Sequence, residues 1–223
     1  MADSTSTTPR SSRLERRKAQ TRAALVGAAQ SFLAAGRTNA PILEITQAAD
    51  VGMGSFYNHF RSRDELFQVA LEDALDLHGT VLDRLTADLE DPAEVFARSF
   101  RITGRLHRRL PELSKVLLYN GLELANSAKG LAPRALRDIE AGARSGRFGA
   151  VRDPQLALTT AAGATLCLGR LLHDQLDRDD ADASDRVAED LLRMFGVPAD
   201  EAAAICRRPL PDLDTALPDR SID

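Results

Sequence analysis

The chain has 223 residues, 43% hydrophobic and 28% charged, with aromatics at 4% and no tryptophan. That length allows one or two domains, and a composition rich in Ala, Leu and Arg favours helices over a β-sandwich or barrel. The net charge of −4 argues against a nucleic-acid partner until its distribution is read: residues 1–70 carry nine Lys/Arg against six Asp/Glu, a balance of +3, and residues 71–223 carry twenty against twenty-seven, a balance of −7. A basic end on an acidic body is the footprint of a small DNA-binding module attached to a separate regulatory or assembly domain.

In chain order, residues 2–12 are mostly Ser and Thr, which predicts a disordered tail over residues 1–12. A first helix is expected from Arg13 to Ala35, its apolar face formed by Leu14, Thr21, Leu25, Ala28 and Phe32, with Gly36 as its stop. A second helix starts near Pro41, where a missing N–H costs nothing, and carries Ile42, Ile45 and Ala49. Asp50, Val51 and Gly52 make a turn, and a third helix runs from Met53 to His59. Phe56 and Phe60 lie four apart and can pack inward, leaving Ser55, Asn58 and His59 freer to face out. Ser62-x-x-Glu65 is a capping box opening a fourth helix, expected to reach about Leu89.

Further helices are expected from Pro92, from Pro111, from Pro133, from Pro154 to about Leu176, from Ser184 to Phe195 and from Pro198 to Cys206. Gly142 to Asp153 reads as a turn, and the prolines of residues 209–223 as a loose tail. No segment alternates as a strand does. The expectation is an all-α protein with a three-helix helix-turn-helix domain at 13–61 and a helical ligand-binding and dimerisation domain at 62–208. No run of roughly 18 apolar residues and no secretory leader is seen, so no membrane span is expected and the cytoplasm is the expected location. Cys167 and Cys206 read as thiols of a reducing compartment. His59, His78, His107 and His173 show no ligand spacing, so neither metal nor cofactor is expected.

The most informative stretch is ILEITQAADVGMGSFYNHFRSRDELF, residues 42–67. Two short helices, a tight turn and a newly capped helix are what a helix-turn-helix unit needs to place one helix in the major groove. With Ala49-Asp50-Val51-Gly52-Met53-Gly54-Ser55-Phe56-Tyr57-Asn58-His59-Phe60, then Arg63 and Leu66, the segment resembles the DNA-binding domain of the TetR family of bacterial transcriptional regulators. Gly54, Tyr57, His59, Phe60 and Leu66 match that family's pattern. Asp50 stands where Gly is usual in the turn, Gly52 and Met53 replace polar residues, and Thr46 replaces a small Ala.

The chemistry at these positions fits DNA. Tyr57, His59 and Arg63 can reach phosphate oxygens, and the helix starts at Pro41 and Met53 offer backbone N–H groups. Ser55 and Asn58 can read base edges, with Gly54 and Met53 beside them, and Arg13, Arg16 and Arg17 lie in a basic arm that can follow the backbone or enter the minor groove.

The resemblance implies a repressor that binds a palindromic operator in double-stranded DNA as a homodimer and is released by a small apolar or amphipathic effector. Phe96, Phe100, Leu117, Tyr119 and Asn120 are the candidate pocket residues. Ala161, Leu168, Leu172, Leu191 and Met194, on the last two long helices, are the candidate dimer contacts, because helices apolar on so much of their surface need cover on more than one side. Asp50, Gly52 and Met53 favour an alternative, a ligand-binding helical protein with only non-specific DNA binding. No Ser/His/Asp pattern, metal spacing or phosphate loop suggests an enzyme.

Overall fold

The computed structural model describes residues 9–124 and 130–212, the side chains of residues 9–12, 112, 113, 116, 120 and 122–124 excepted. Ten helices lie among the described residues, and no strand: α1 Pro9–Ala34, α2 Ile42–Ala48, α3 Met53–Tyr57, α4 Arg63–Leu85, α5 Pro92–Arg109, α6 Pro111–Leu124, α7 Leu131–Arg144, α8 Pro154–Asp174, α9 Asp180–Met194 and α10 Ala199–Arg207. They form two compact units, Met1–Leu71 and Glu72–Asp223, divided inside α4.

In the first unit α1 begins at Pro9, four residues ahead of the expected start. Its core face is Leu25, Val26, Ala29 and Leu33, all 5% exposed or less, one position off the expected stripe. Leu14 is 67% exposed, because the basic first half of the helix has no apolar surface over it. Phe32 is half-buried, and the Arg37 guanidinium lies over its ring at 4.8 Å. Ile45, Phe56, Phe60 and Leu66 complete this small core. The buried Thr46 hydroxyl donates to the Leu43 carbonyl at 2.9 Å, so this polar group in a core position stays satisfied.

The start of α4 shows the expected cap with one change of partner. Ser62 Oγ accepts the Glu65 N–H at 3.1 Å, while the Glu65 carboxylate accepts from the Arg61 N–H at 2.7 Å rather than from Ser62. The helix ends at Leu85, short of Leu89. Arg98 donates to the Leu85 carbonyl at 3.0 Å and satisfies one of the acceptors a helix end leaves open.

In the second unit α5 is the central helix, packed by α6, α7, α8, α9 and α10. Its Phe96 and Phe100 join Phe148 and Phe195 in an aromatic cluster, with Phe96–Phe195 centroids 4.9 Å apart and edge-on. Gly142, expected in a turn, lies inside α7. A Cβ there would fall 2.2 Å from Phe148 Cδ2, so glycine is what lets this ring close on the helix. Asp179 accepts the Asp182 N–H at 2.9 Å, which starts α9 at Asp180 rather than at Ser184. The buried Arg101 is held by Asp185 through two bonds, 2.8 and 3.1 Å, and donates to the Arg208 carbonyl at 2.9 Å.

Contrary to expectation, α8 is long and apolar enough to cross a membrane, with a mean hydropathy of 1.2 over its best window. Here its Ala157, Leu158, Ala161, Leu168 and Leu172 belong to the core of the second unit, and apolar length alone does not separate a core helix from a span. Cys206 is buried, and burial pushes its thiol up to about 11; Cys167, on α8, is exposed.

Candidate DNA interface and effector cavity

The first site is the exposed face of α2 and α3. The turn between them depends on Asp50, the one non-glycine residue with positive φ (51°) among the described residues. Its N–H donates to the Gln47 carbonyl at 3.1 Å, and the next N–H, of Val51, donates to the Thr46 carbonyl at 2.9 Å. Asp is one of the few side chains that tolerate this left-handed region, which explains how it can replace glycine.

Phe56, fully buried, anchors α3 from below, with Tyr57 edge-on to it at 5.2 Å. That leaves Met53 45% and Tyr57 61% exposed, with Gly54 and Asn58 exposed and Ser55 and His59 half-buried. A Cβ at Gly52 or Gly54 would meet nothing within 4 Å, so the fold itself does not demand glycine there and the backbone is open to close approach. Pro41 is exposed and caps α2 from the position before its first residue, one earlier than expected.

Arg13, Arg16 and Arg17 are exposed on the regular helix α1. Arg63 is half-buried: its Nε and one terminal nitrogen bond Asp64 at 3.1 and 3.0 Å, and the other reaches the Asn39 carbonyl at 3.4 Å. Any phosphate contact by Arg63 has to compete with these. Two cations missing from the sequence-based set are Lys18 and Arg22. Both lie near enough to His59 to act on it, and the Arg22 guanidinium sits over the Phe60 ring at 5.2 Å. Burial, then Lys18 and Arg22, lower the His59 pKa, so the free protein holds this ring neutral at physiological pH. Their membership of the run of six cations from Arg10 to Arg22 was the available signal.

The second site is a cavity of about 120 Å³ inside the second unit. Phe96, Phe100 and Leu117 line it, with Leu75, Leu82, Leu131, Leu158 and Leu166. Tyr119 does not: it is 58% exposed, because two residues of α6 past Leu117 carry the side chain round to the opposite face of the helix. The Asn120 side chain lies outside the described residues. Charges gather at one edge, where Arg134 bonds Asp83 at 2.8 Å and Arg137 bonds Asp138 at 3.0 Å.

Sequence reasoning also missed the histidines here. Thr103 gives its hydroxyl proton to the Ser99 carbonyl at 2.9 Å, so it accepts from His78 Nε2 at 3.2 Å and leaves His78 Nδ1 a bare, buried acceptor. His107 lines the cavity, with Nδ1 2.6 Å from Ser114 Oγ, and Ser114 Oγ is 2.8 Å from His173 Nε2. Desolvation, then the neighbouring His107 and Arg134, lower His78 to about 3. Desolvation and His173 lower His107 to about 4, against the opposing Thr165 backbone.

The candidate dimer contacts divide. Ala161, Leu168, Leu172 and Leu191 are 5% exposed or less within the single chain, and Ala161 lines the cavity. They are covered already and present no surface to a second copy, which corrects their expected role. Met194, 45% exposed, remains available, as do Leu156 at 66% and Cys167 on α8.

Residues 24–70 match the family described as bacterial regulatory proteins, tetR family, and residues 91–208 the tetracyclin repressor-like C-terminal domain. No curated protein matches the chain. Among solved structures, RolR in complex with resorcinol is similar at 35% identity and a TM-score of 0.59, over 89% of this chain and 98% of that one. A putative fatty acid metabolism regulator of Clostridium perfringens (17% identity, TM-score 0.58, 78% of this chain and 100% of that one) shares the fold. So does a gamma-butyrolactone receptor described as ArpA-like (20% identity, TM-score 0.52, 85% and 96%). With both matched regions and a 35% identical relative spanning nearly its whole length, this chain belongs to the TetR family and is a ligand-responsive transcriptional regulator.

Proposed function

We propose that this regulator is a cytoplasmic repressor, without enzymatic activity, that binds a palindromic operator as a homodimer and is released by a small hydroxylated aromatic molecule. The carrying observation is the apolar cavity of about 120 Å³, of the order of the roughly 150 Å³ that accepts one benzene ring, with a few polar groups set into its wall. Resorcinol, with which the 35% identical RolR forms a complex, has that size and character.

On DNA, Met53, Gly54, Ser55 and Asn58 face base edges, while Tyr57, His59, Arg63, Lys18, Arg22 and the cations Arg13, Arg16 and Arg17 meet phosphates, with the α2 start at Pro41 beside them. A second copy pairs through α8 and α9 at Leu156, Cys167 and Met194, so the two recognition helices sit about one or more DNA turns apart, each about 34 Å. The effector acts by its differential affinity for the DNA-competent and released states, with α4, which begins next to the DNA-facing residues and supplies Leu75 and Leu82 to the cavity, as the connecting element.

The test is selection from a random duplex library, followed by release of the selected DNA with resorcinol. An enriched inverted repeat, released by the phenol, supports the proposal. Asn58→Ala should relax base preference, and Tyr57→Phe should weaken all sequences alike. Binding without enrichment favours the non-specific alternative that Asp50, Gly52 and Met53 suggest.

A further inference from the structure

The polar atoms of the cavity wall are mostly satisfied within the protein, and His107 Nε2 is an exception. The ring is 2% exposed and lines the cavity; Ser114 engages its Nδ1, the Thr165 backbone lies close enough to favour its protonated form, and its Nε2 is buried with no partner at hydrogen-bond geometry. An unmade bond at a buried nitrogen is costly, so a ligand hydroxyl that completes it gains affinity. The ring cannot swing away to find another partner. A Cβ at Gly169 would lie 2.4 Å from its Cε1, so the α8 backbone closes one edge while Ser114 holds another.

Beyond Ser114 the chain of bonds continues to the half-exposed His173. Ser114 has one proton. Either His107 Nδ1–H donates to Ser114, which donates to His173, and Nε2 is a bare acceptor; or His173 Nε2–H donates to Ser114, which donates to His107 Nδ1, and Nε2–H is a donor. Reversing the chain inverts the polarity presented at Nε2. A hydroxyl, both donor and acceptor, satisfies either state. A carboxylate or an ammonium group satisfies only one.

We infer that His107 Nε2 is the anchor for a hydroxyl of the effector, and that Ser114 and His173 are positioning residues that set its polarity. The inference rests on the hydroxylated-aromatic reading above and adds the atom that recognises it.

Resorcinol and m-xylene, a match in shape without the hydroxyls, separate the two claims when titrated calorimetrically into the full-length protein, with ring ¹⁵N NMR of the histidines alongside. Wild type should prefer resorcinol, and the His107 Nε2 resonance should move on binding it. Ser114→Ala and His107→Gln should each weaken resorcinol about tenfold and leave m-xylene within about twofold. Resorcinol bound equally by wild type and both variants, parallel loss of both probes, or an unmoved Nε2 resonance overturns the anchor alone. A wild type that takes m-xylene but not resorcinol, or neither probe, overturns the effector reading as well.

Discussion

Lowering the pH below about 6.5 should destabilise the second unit, because His78 and His107 are buried as neutral rings. Each is 2% exposed, with a folded pKa near 3 and near 4 respectively, against 6.5 in the unfolded chain. The sign follows from proton uptake. Above 6.5 neither state binds a proton at these rings, and their contribution is fully present. As pH falls below 6.5 the unfolded chain takes up protons that the folded one refuses, so stability declines down to about 4 and 3, where the folded rings titrate too. At about pH 5 each ring has lost about 1.5 pH units' worth of linkage, or about 2 kcal/mol, and the pair about 4 kcal/mol. That is a large share of the roughly 5–15 kcal/mol of an ordinary domain. Urea unfolding followed by far-UV circular dichroism from about pH 7.5 to 5 measures it, and near pH 5 the slope should approach about 2.7 kcal/mol per pH unit for two protons. A midpoint that does not move over that range refutes the reasoning, since it requires these rings to be protonated or hydrated in the native state.

At Asp50 (φ 51°), Asp50→Ala should destabilise by about 1 kcal/mol by chemical denaturation and Asp50→Gly should not, since glycine has no Cβ to strain; equal loss for both would deny the left-handed conformation. Asp50→Gly should also tighten DNA binding modestly at low salt, by removing a negative charge from the turn, with the gain shrinking as salt is added. Because the His59 pKa is lowered in the free protein, a phosphate beside it raises it on binding; operator affinity should therefore climb as pH falls from about 7.5 to 6.5 in wild type and stay flatter in His59→Asn, and parallel profiles by fluorescence anisotropy would remove His59 from the interface. Gly142→Ala should lower stability by about 1–3 kcal/mol through the clash with Phe148, and an unchanged melting temperature would show that the ring has room to move.

What was legible in the sequence was local. The turn at Asp50 to Gly52, the inward pair Phe56 and Phe60, and the Ser62–Glu65 cap lie within a few residues of one another, and their geometry is set by neighbours in the chain. The register of α1 was harder, because its many alanines allow adjacent stripes and only packing picks Leu25, Val26, Ala29 and Leu33. Four of the dimer candidates, Ala161, Leu168, Leu172 and Leu191, are buried in their own chain for a related reason: an apolar residue on α8 or α9 looks the same in sequence whether its own chain or a second copy covers it. The ring–hydroxyl–ring chain was invisible because His107, Ser114 and His173 come from three helices and meet only in the folded unit. In the sequence they are three unrelated polar positions without ligand spacing.

The contrast between the two thiols has a practical use. At pH 7 to 8 the buried Cys206, with its thiol pushed up to about 11, has almost no thiolate to offer an electrophile, whereas Cys167 stands exposed on α8. The unaltered chain thus accepts one maleimide dye at one known position, on the helix that also lines the cavity. Because Cys167 lies on the proposed pairing surface, a second copy should shield it, so a rate of maleimide labelling that falls as protein concentration rises reports self-association without any engineered cysteine.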